Sequence, residues 1–338
     1  MKTPPAVPWP TSRQPRSPHR DEKDRPGIEV AGGEVAAPGL RETPIEALAY
    51  PVPAERPQPR LLACDVDGTL LDERGVLRPA VRDAIALIRN AGVDVVLATG
   101  RSPWAGLAKL CDDLGLDGPQ ITMQGALIIS PRTGEIVRAR RLSAAVFRDH
   151  LSFARALELT PIVALADGHR AETLPANLGL FVPPLREGTH FELVDSFERI
   201  VNDGPIRTFL PTRSDRHRSV RMLASVWFGS RASIVWSDDS GIELLAPGTS
   251  KGDALRYLAG LRGLGLESVA AVGDAPNDTE MLRVAGWSAA MGSAPETVQR
   301  AADLVVPPSS EEGILDAFRH FFPDLRFPRR RRAPRTDA

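Results

Sequence analysis

Two short runs, residues 61–66 and 93–98, are apolar at almost every position instead of every second one. A strand with one wet face alternates, so a near-continuous apolar run of this length reads as a strand buried on both faces. Between them, residues 79–90 carry Val81, Ile85 and Ile88 at helical spacing with charges interleaved, and Gly92 follows as a stop signal. Residues 103–114 read as a second helix. The alternation resumes toward the other end, with helices over 251–261, 279–284, 294–301 and 311–322 and strands over 269–272, 289–291 and 304–306. Doubly buried strands separated by helices predict an α/β fold, a parallel sheet with helices on both sides.

Residues 129–245 break this pattern. A hairpin signal at Pro131-Arg132-Thr133-Gly134 and strands over 160–166 and 233–237 predict an inserted α+β unit. The core is then split over 59–128 and 246–322. Residues 1–58 hold 12 of the 31 prolines, eight basic and eight acidic residues and no sustained apolar period, which predicts a disordered extension. Residues 323–338 carry six arginines and two aspartates, including the run Arg329-Arg330-Arg331-Arg332, and read as a solvated tail. Taking that +4 from the overall net charge of −1 leaves −5 for residues 59–322. A mildly acidic body is not expected to hold nucleic acid. Two cysteines exclude a disulfide scaffold or a four-thiolate zinc site. No apolar run approaches the roughly 18 residues of a membrane span, and the first residues lack the apolar stretch of a signal peptide, so the expected compartment is the cytoplasm.

Acidic and phosphate-friendly residues recur just after the strands. Asp65 and Asp67 close the first, Thr99-Gly100-Arg101 follows the second, and Asp274, Asn277 and Asp278 follow residues 269–272. In an open α/β sheet ligands bind beyond the carboxyl ends of the strands, so these groups are expected to share one crevice. Carboxylates gathered there repel one another unless a hard divalent cation with oxygen ligands joins them, and Mg²⁺ is the usual partner of a bound phosphate. Lys251 is one of four lysines beside 38 arginines. A compact ammonium suits phosphate binding without a bidentate fork.

Other chemistries fail on spacing. The stretch from Asp65 begins like a calcium loop but has Leu70 and Val76 where Gly and Glu are required. There is no Walker A run, and Gly263-Leu264-Gly265-Leu266-Glu267-Ser268 lacks the third glycine of a dinucleotide site. Cys64 reads as core filler, and His169 as a lone surface histidine of the inserted unit, with the lining of a substrate pocket as the alternative.

Asp65-Val66-Asp67-Gly68-Thr69-Leu70-Leu71 resembles the DxDGTLL signature of the haloacid dehalogenase (HAD) superfamily. Thr99-Gly100-Arg101 is similar to its second motif, Lys251 to its third, and Gly273-Asp274-Ala275-Pro276-Asn277-Asp278 to the GDxxND form of its fourth. The insertion between the second and third motifs resembles the Cof-like class IIB phosphatases. The resemblance spans residues 59–322 and implies a Rossmann-like core with an inserted cap.

It also implies a reaction, hydrolysis of phosphomonoesters of small metabolites such as sugar phosphates or phosphorylated cofactors. Asp65 would be the nucleophile that forms an aspartyl-phosphate, and Asp67 the general acid and base. Mg²⁺ would be held by Asp65, the Asp67 backbone carbonyl, Asp274 and Asp278. Thr99, Gly100, Lys251 and Asn277 would hold the phosphoryl group. Two positions depart from the family pattern. Gln124-Gly125-Ala126 stands where Asn-Gly-Ala is common, and Ser293 follows Met291-Gly292 where Asn is usual. Gln124 and Gly125, with Arg101, are candidate substrate-side residues. A phosphomutase and a non-catalytic binding protein on the same fold are the competing readings.

Overall fold

The computed structural model describes residues 56–173, 191–236 and 239–328. Nearly all of the expected N-terminal extension and the Arg329-Arg330-Arg331-Arg332 run lie outside these residues. From the first described strand onward the order is β1 (Leu61–Cys64), α1 (Pro79–Asn90), β2 (Asp94–Leu97), α2 (Leu107–Leu114), β3 (Gln120–Thr122), β4 (Leu127–Ile129) and β5 (Ile136–Ala139). Then come α3 (Ala144–Ala156), β6 (Ile162–Ala164), β7 (His169–Ala171), β8 (Phe191–Leu193), β9 (Arg207–Pro211), α4 (Ser214–Phe228), β10 (Ser233–Val235) and β11 (Gly241–Leu245). The chain closes with α5 (Lys251–Leu261), β12 (Val269–Gly273), α6 (Thr279–Val284), β13 (Trp287–Met291), α7 (Glu296–Gln299), β14 (Leu304–Val306) and α8 (Ile314–Phe321).

Five parallel strands form the core sheet in the order β14-β13-β12-β1-β2. The apolar run of β1 is explained by its neighbours. Leu62 and Cys64 pack with α1, α2 and α8 on one face, and Leu61 and Ala63 with α5 and α6 on the other. Helix α1 starts with Pro79 in its first turn, where a missing N–H is harmless, and ends before Gly92 at φ +84°. It buries Val81, Ala84, Ile85 and Ile88. Each buried Val or Ile contributes about 1.5–3 kcal/mol, and Ile85→Ala would cost about 2–5 kcal/mol.

Strand β3 adjoins β2 through a parallel bridge between Ala98 and Ile121 and pairs antiparallel with β4, which pairs with β5. The expected boundary between residues 128 and 129 therefore falls inside β4, and the turn at 131–134 joins β4 to β5. A second sheet, ordered β10-β11-β9-β6-β7-β8, carries the rest of the insertion. One face of it packs on α3 and α4 through Phe153, Leu210, Val220, Phe228, Ile242 and Leu244. Its other face meets the core through Ala164, Ile206 and Leu245 against Met123, Ala126 and Leu127.

Several expectations change at the ends of elements and of the folded body. Helix α2 begins at Leu107, not at 103, because Gly106 is left-handed at φ 72°. Helix α8 starts at Ile314, after Glu312 turns left-handed at φ 58°. The folded body also runs past 59 and 322. Arg56 Nη1 donates to the Gly286 carbonyl at 2.7 Å, and Gln58 Nε2 to Asp324 Oδ2 at 2.7 Å. Leu325 and Phe327 pack on the core, apolar anchors within a segment whose average composition is charged. Among the described residues, no helix is long and apolar enough to cross a membrane.

Candidate active site

Because β1 and β12 are adjacent and parallel, their carboxyl ends deliver Asp65 and Asp274 to one place. The Asp65 N–H donates to the Val272 carbonyl at 2.9 Å, which locks the first turn beyond β1 onto the neighbouring strand. The chain then turns at Gly68, φ +83°, where a Cβ would lie 2.3 Å from Asp274 Oδ2. Glycine is needed there on both counts. Thr69 Oγ1 donates to Asp274 Oδ1 at 2.9 Å.

Lys251 enters from the first turn of α5, whose N-cap Ser250 accepts the Asp253 N–H. Its Nζ donates to Asp65 Oδ1 at 2.6 Å and to Asp278 Oδ1 at 2.7 Å. The other oxygen of Asp278 accepts the backbone N–H groups of Asp274 and Ala275, both at 3.0 Å. Lys251 is 1% exposed and Asp278 0%, so these charges depend on one another. Burial opposes the ammonium, yet Asp278 and Asp65 hold its pKa above the ordinary lysine value. Burial pushes the Asp65 carboxyl well up; Lys251 opposes the shift, and Asp278 and Asp274 reinforce it. Burial, then Asp278, raises Asp274 to about 6. Oxygens of Asp65, Asp274 and Asp278 lie within 4.8 Å of one another. Three carboxylates against one ammonium leave a surplus of two negative charges, which a divalent cation with oxygen ligands fits.

The other expected residues surround this centre. Asp67 turns outward into a bidentate pair with Arg101, whose Nε donates to Asp67 Oδ2 at 2.6 Å and whose Nη2 donates to Oδ1. Arg101, expected on the substrate side, is thus the partner of Asp67. Thr99 is buried, and its hydroxyl accepts the Arg101 N–H at 3.0 Å. Gly100 faces Gln124, whose amide nitrogen would lie 2.4 Å from a Cβ at that glycine. Gly125, at φ +92°, sits where a Cβ would be 2.1 Å from the Ser250 carbonyl, so it allows the β3–β4 turn to reach the Lys251 loop. Asn277 Nδ2 donates to Gln124 Oε1 at 2.7 Å. Cys64 is fully buried and burial pushes its thiol up, in line with a filler role.

His169 is a correction. It is 5% exposed, lies edge-on to Trp104 with centroids 5.6 Å apart, and places Nε2 3.5 Å from Arg207 Nη2. It sits in β7, where Trp104 and Arg207 cover it. Burial, then Arg207 and Arg170, push it down to about 3.

A cavity of about 260 Å³ opens between the motif loops and β10, lined by Gln124, Asn277 and Thr249 on one side and Ser233, Val235 and Trp236 on the other. The Thr249 N–H donates to Ser233 Oγ at 3.0 Å, while the buried Thr249 hydroxyl has no hydrogen-bond partner among the described residues. Arg221 stacks over the Trp236 ring at 4.2 Å. The motifs do not reach these cap residues, and a strand over 233–237 was their whole signal. A larger cavity, about 330 Å³ around Asp72, Arg78 and Glu312, contains none of the motif residues and is not the site.

A carboxylate cluster at the ends of a parallel sheet, under an inserted α+β unit, defines the capped α/β phosphohydrolases as the class of this molecule. A family model described as haloacid dehalogenase-like hydrolase matches residues 62–318, and the chain belongs to that family, in its Cof-like class IIB branch. It is 26% identical over 263 residues to the pyridoxal phosphate phosphatase YbhA of Escherichia coli, covering 75% of this chain and 96% of that one. It is 29% identical over 285 residues to the chloroplastic endoribonuclease YBEY of Arabidopsis thaliana; the match takes in 79% of this chain but about half, 47%, of that longer protein. A solved HAD subclass IIB sugar phosphatase superposes with a TM-score of 0.68 at 25% identity, covering 78% of this chain and 98% of the other. The protein is an enzyme of the phosphatase kind.

Proposed function

We propose that this enzyme hydrolyses phosphomonoesters of small metabolites with Mg²⁺ as cofactor and Asp65 as nucleophile. The carrying observation is the Lys251 ammonium held between Asp65 and Asp278 with Asp274 beside them. A carboxylate oxygen of Asp65 bonds to phosphorus as the ester P–O bond breaks. The bonding pair leaves on the alkoxide oxygen, which takes a proton from Asp67. Water then gives a proton to the Asp67 carboxylate as its oxygen bonds to phosphorus. The bond from phosphorus to Asp65 breaks, and inorganic phosphate departs. Both transfers require Asp67 to leave its pair with Arg101, in which each carboxylate oxygen accepts a guanidinium N–H. Thr99, Gly100, Lys251 and Asn277 hold the phosphoryl oxygens, where charge accumulates.

Asp65 and Asp274 would hold Mg²⁺ through their side chains and Asp67 through its backbone carbonyl. Asp278, whose oxygens already serve Lys251 and two backbone N–H groups, supports the set. When bound, the ion neutralises phosphoryl charge. The six-stranded unit acts as a lid that excludes water and selects the leaving group through β10. Two of the similar proteins are named for pyridoxal phosphate and for sugar phosphates, and phosphorylated cofactors and sugar phosphates are the substrate classes proposed here.

The test is phosphate release from a panel of metabolite phosphates, with Mg²⁺ and with EDTA, in wild type and Asp65→Asn. Mg²⁺-dependent release that disappears in the variant supports the reading. Release that persists in Asp65→Asn, or that ignores EDTA, refutes it.

A further inference from the structure

The turn after β3 places three consecutive residues in the left-handed region, Met123 at φ 47°, Gln124 at φ 59° and Gly125 at φ 92°. Asparagine tolerates that conformation better than glutamine does, so a buried glutamine is held there against its preference, an arrangement concentrated at functional sites. Its extra methylene reaches the insertion. Gln124 Nε2 donates to Glu243 Oε1 at 2.7 Å in a buried hydrogen bond. Glu243 lies on β11 between Ile242 and Leu244, which face the cap helices, so strand alternation turns it toward the core. Arg207 Nη1 donates to Glu243 Oε2 at 2.7 Å and to the Gly100 carbonyl at 2.8 Å.

The order of donors in this chain is dictated by chemistry. Arginine can only donate and a carboxylate can only accept. Glu243 therefore requires the NH₂ end of Gln124, which leaves the Gln124 oxygen for Asn277, which in turn must present its nitrogen. We infer that Gln124 and Glu243 are positioning residues that set the direction of the Asn277 amide, so that its nitrogen and not its oxygen meets Gln124 beside the cavity that Gln124 and Asn277 line. The cap thereby sets the polarity of a phosphoryl-holding group without touching the phosphoryl. This deepens, and rests on, the reading in which Asn277 binds that group.

The test exploits an isosteric change. In Glu243→Gln, Arg207 claims the one remaining oxygen, so the new NH₂ meets Gln124, Gln124 must turn over, and Asn277 must follow. In the double variant Gln124→Glu with Glu243→Gln, the carboxylate at 124 accepts from both neighbours and the original Asn277 direction returns. Two quantities are read on ¹⁵N-labelled full-length protein, with urea midpoints confirming folding. One is the exchange rate of the Asn277 side-chain amide protons, and the other is kcat and KM with p-nitrophenyl phosphate.

Glu243→Gln is expected to speed the exchange and lower kcat, each roughly ten-fold, with KM within about two-fold. Gln124→Asn, too short to reach Glu243, should do the same. The double variant should restore slow exchange and recover part of kcat. Unchanged exchange in Glu243→Gln, or a double variant no slower in exchange than the single, overturns the inference. Loss of the phosphatase reading would show separately, as turnover that is absent from wild type or indifferent to Asp65→Asn, while the exchange rates still decide the amide direction.

Discussion

At the carboxyl ends of β1 and β12, Asp65, Thr69, Lys251, Asp274 and Asp278 meet at hydrogen-bond distances of 2.6–2.9 Å, four of the five charged. Across the cavity β10 offers Ser233, Ile234 and Val235, followed by Trp236, and none of these carries a charge. Breaking a phosphate ester requires a nucleophile, a proton carrier and fixed positive charge, and few side chains supply each. Choosing a leaving group requires fit and a few polar contacts, which many residue sets can provide. The first region is therefore fixed in type, and the second is free to vary.

The sharpest way to break this division is Asp65→Asn. It should lower kcat by roughly 10³-fold or more while leaving the unfolding midpoint unchanged or raised, since it removes a charge that burial, Asp278 and Asp274 disfavour more than Lys251 favours it. Steady-state kinetics with thermal unfolding checks this; a variant within tenfold of wild type would remove Asp65 from the chemistry. Lys251→Ala should cost about 3–5 kcal/mol in urea unfolding, because it leaves two buried carboxylates uncompensated.

Acid should separate the regions by sign. His150 and His169, both in the insertion, are pushed down to about 3 by burial first and by neighbouring arginines second. The unfolded chain takes up protons once pH falls below about 6.5. The insertion's stability is therefore whole above that pH and is lost between about 6.5 and 3, at about 1.4 kcal/mol per pH unit for each histidine. Burial raises Asp274 to about 6 and pushes Asp65 upward as well, so without metal the core sheds a destabilising repulsion as pH falls, through about 6 for Asp274. Hydrogen exchange in EDTA at pH 7 and pH 5 should show protection lost around α3 and β7 before it is lost around β12. Equal loss would remove the distinction. The smallest effect is expected of Thr249→Val, which removes one hydroxyl from the cavity. A change of up to about tenfold in kcat/KM is expected, the worth of one hydrogen bond, and it should differ among substrates.

The core was legible because its demands are covalent and electrostatic. Asp65, Asp67, Thr99, Lys251, Asp274 and Asn277 announce themselves by residue type at strand ends, and Leu61 to Cys64 announce a doubly buried strand. Glu243 was hidden, although Ile242-Glu243-Leu244 is a period-two pattern that turns one charge away from two apolar neighbours. Its partner Gln124 lies 119 residues earlier, a pairing that only the closed fold makes visible. Thr249 and Trp236 were illegible for another reason: a threonine and a tryptophan are as common in cores as in pockets. Arg101 carried its signal in the second motif, but its pairing with Asp67 depends on the β1 and β2 loops lying side by side.

The hydrogen bond between Gln58 and Asp324 has a topological consequence. It brings the first and last stretches of the folded body within reach of each other, at the amino end of β1, one strand length (about 13 Å) from the carboxyl end where Asp65 begins. The body is a nearly closed ring of chain. A circular permutant with a joint from residue 328 to residue 56 and new ends in the exposed 131–134 turn keeps every strand neighbour of the parent and its anchors Arg56, Leu325 and Phe327, and a fusion attached at residue 56 or 328 leaves from the pole opposite the carboxylate cluster.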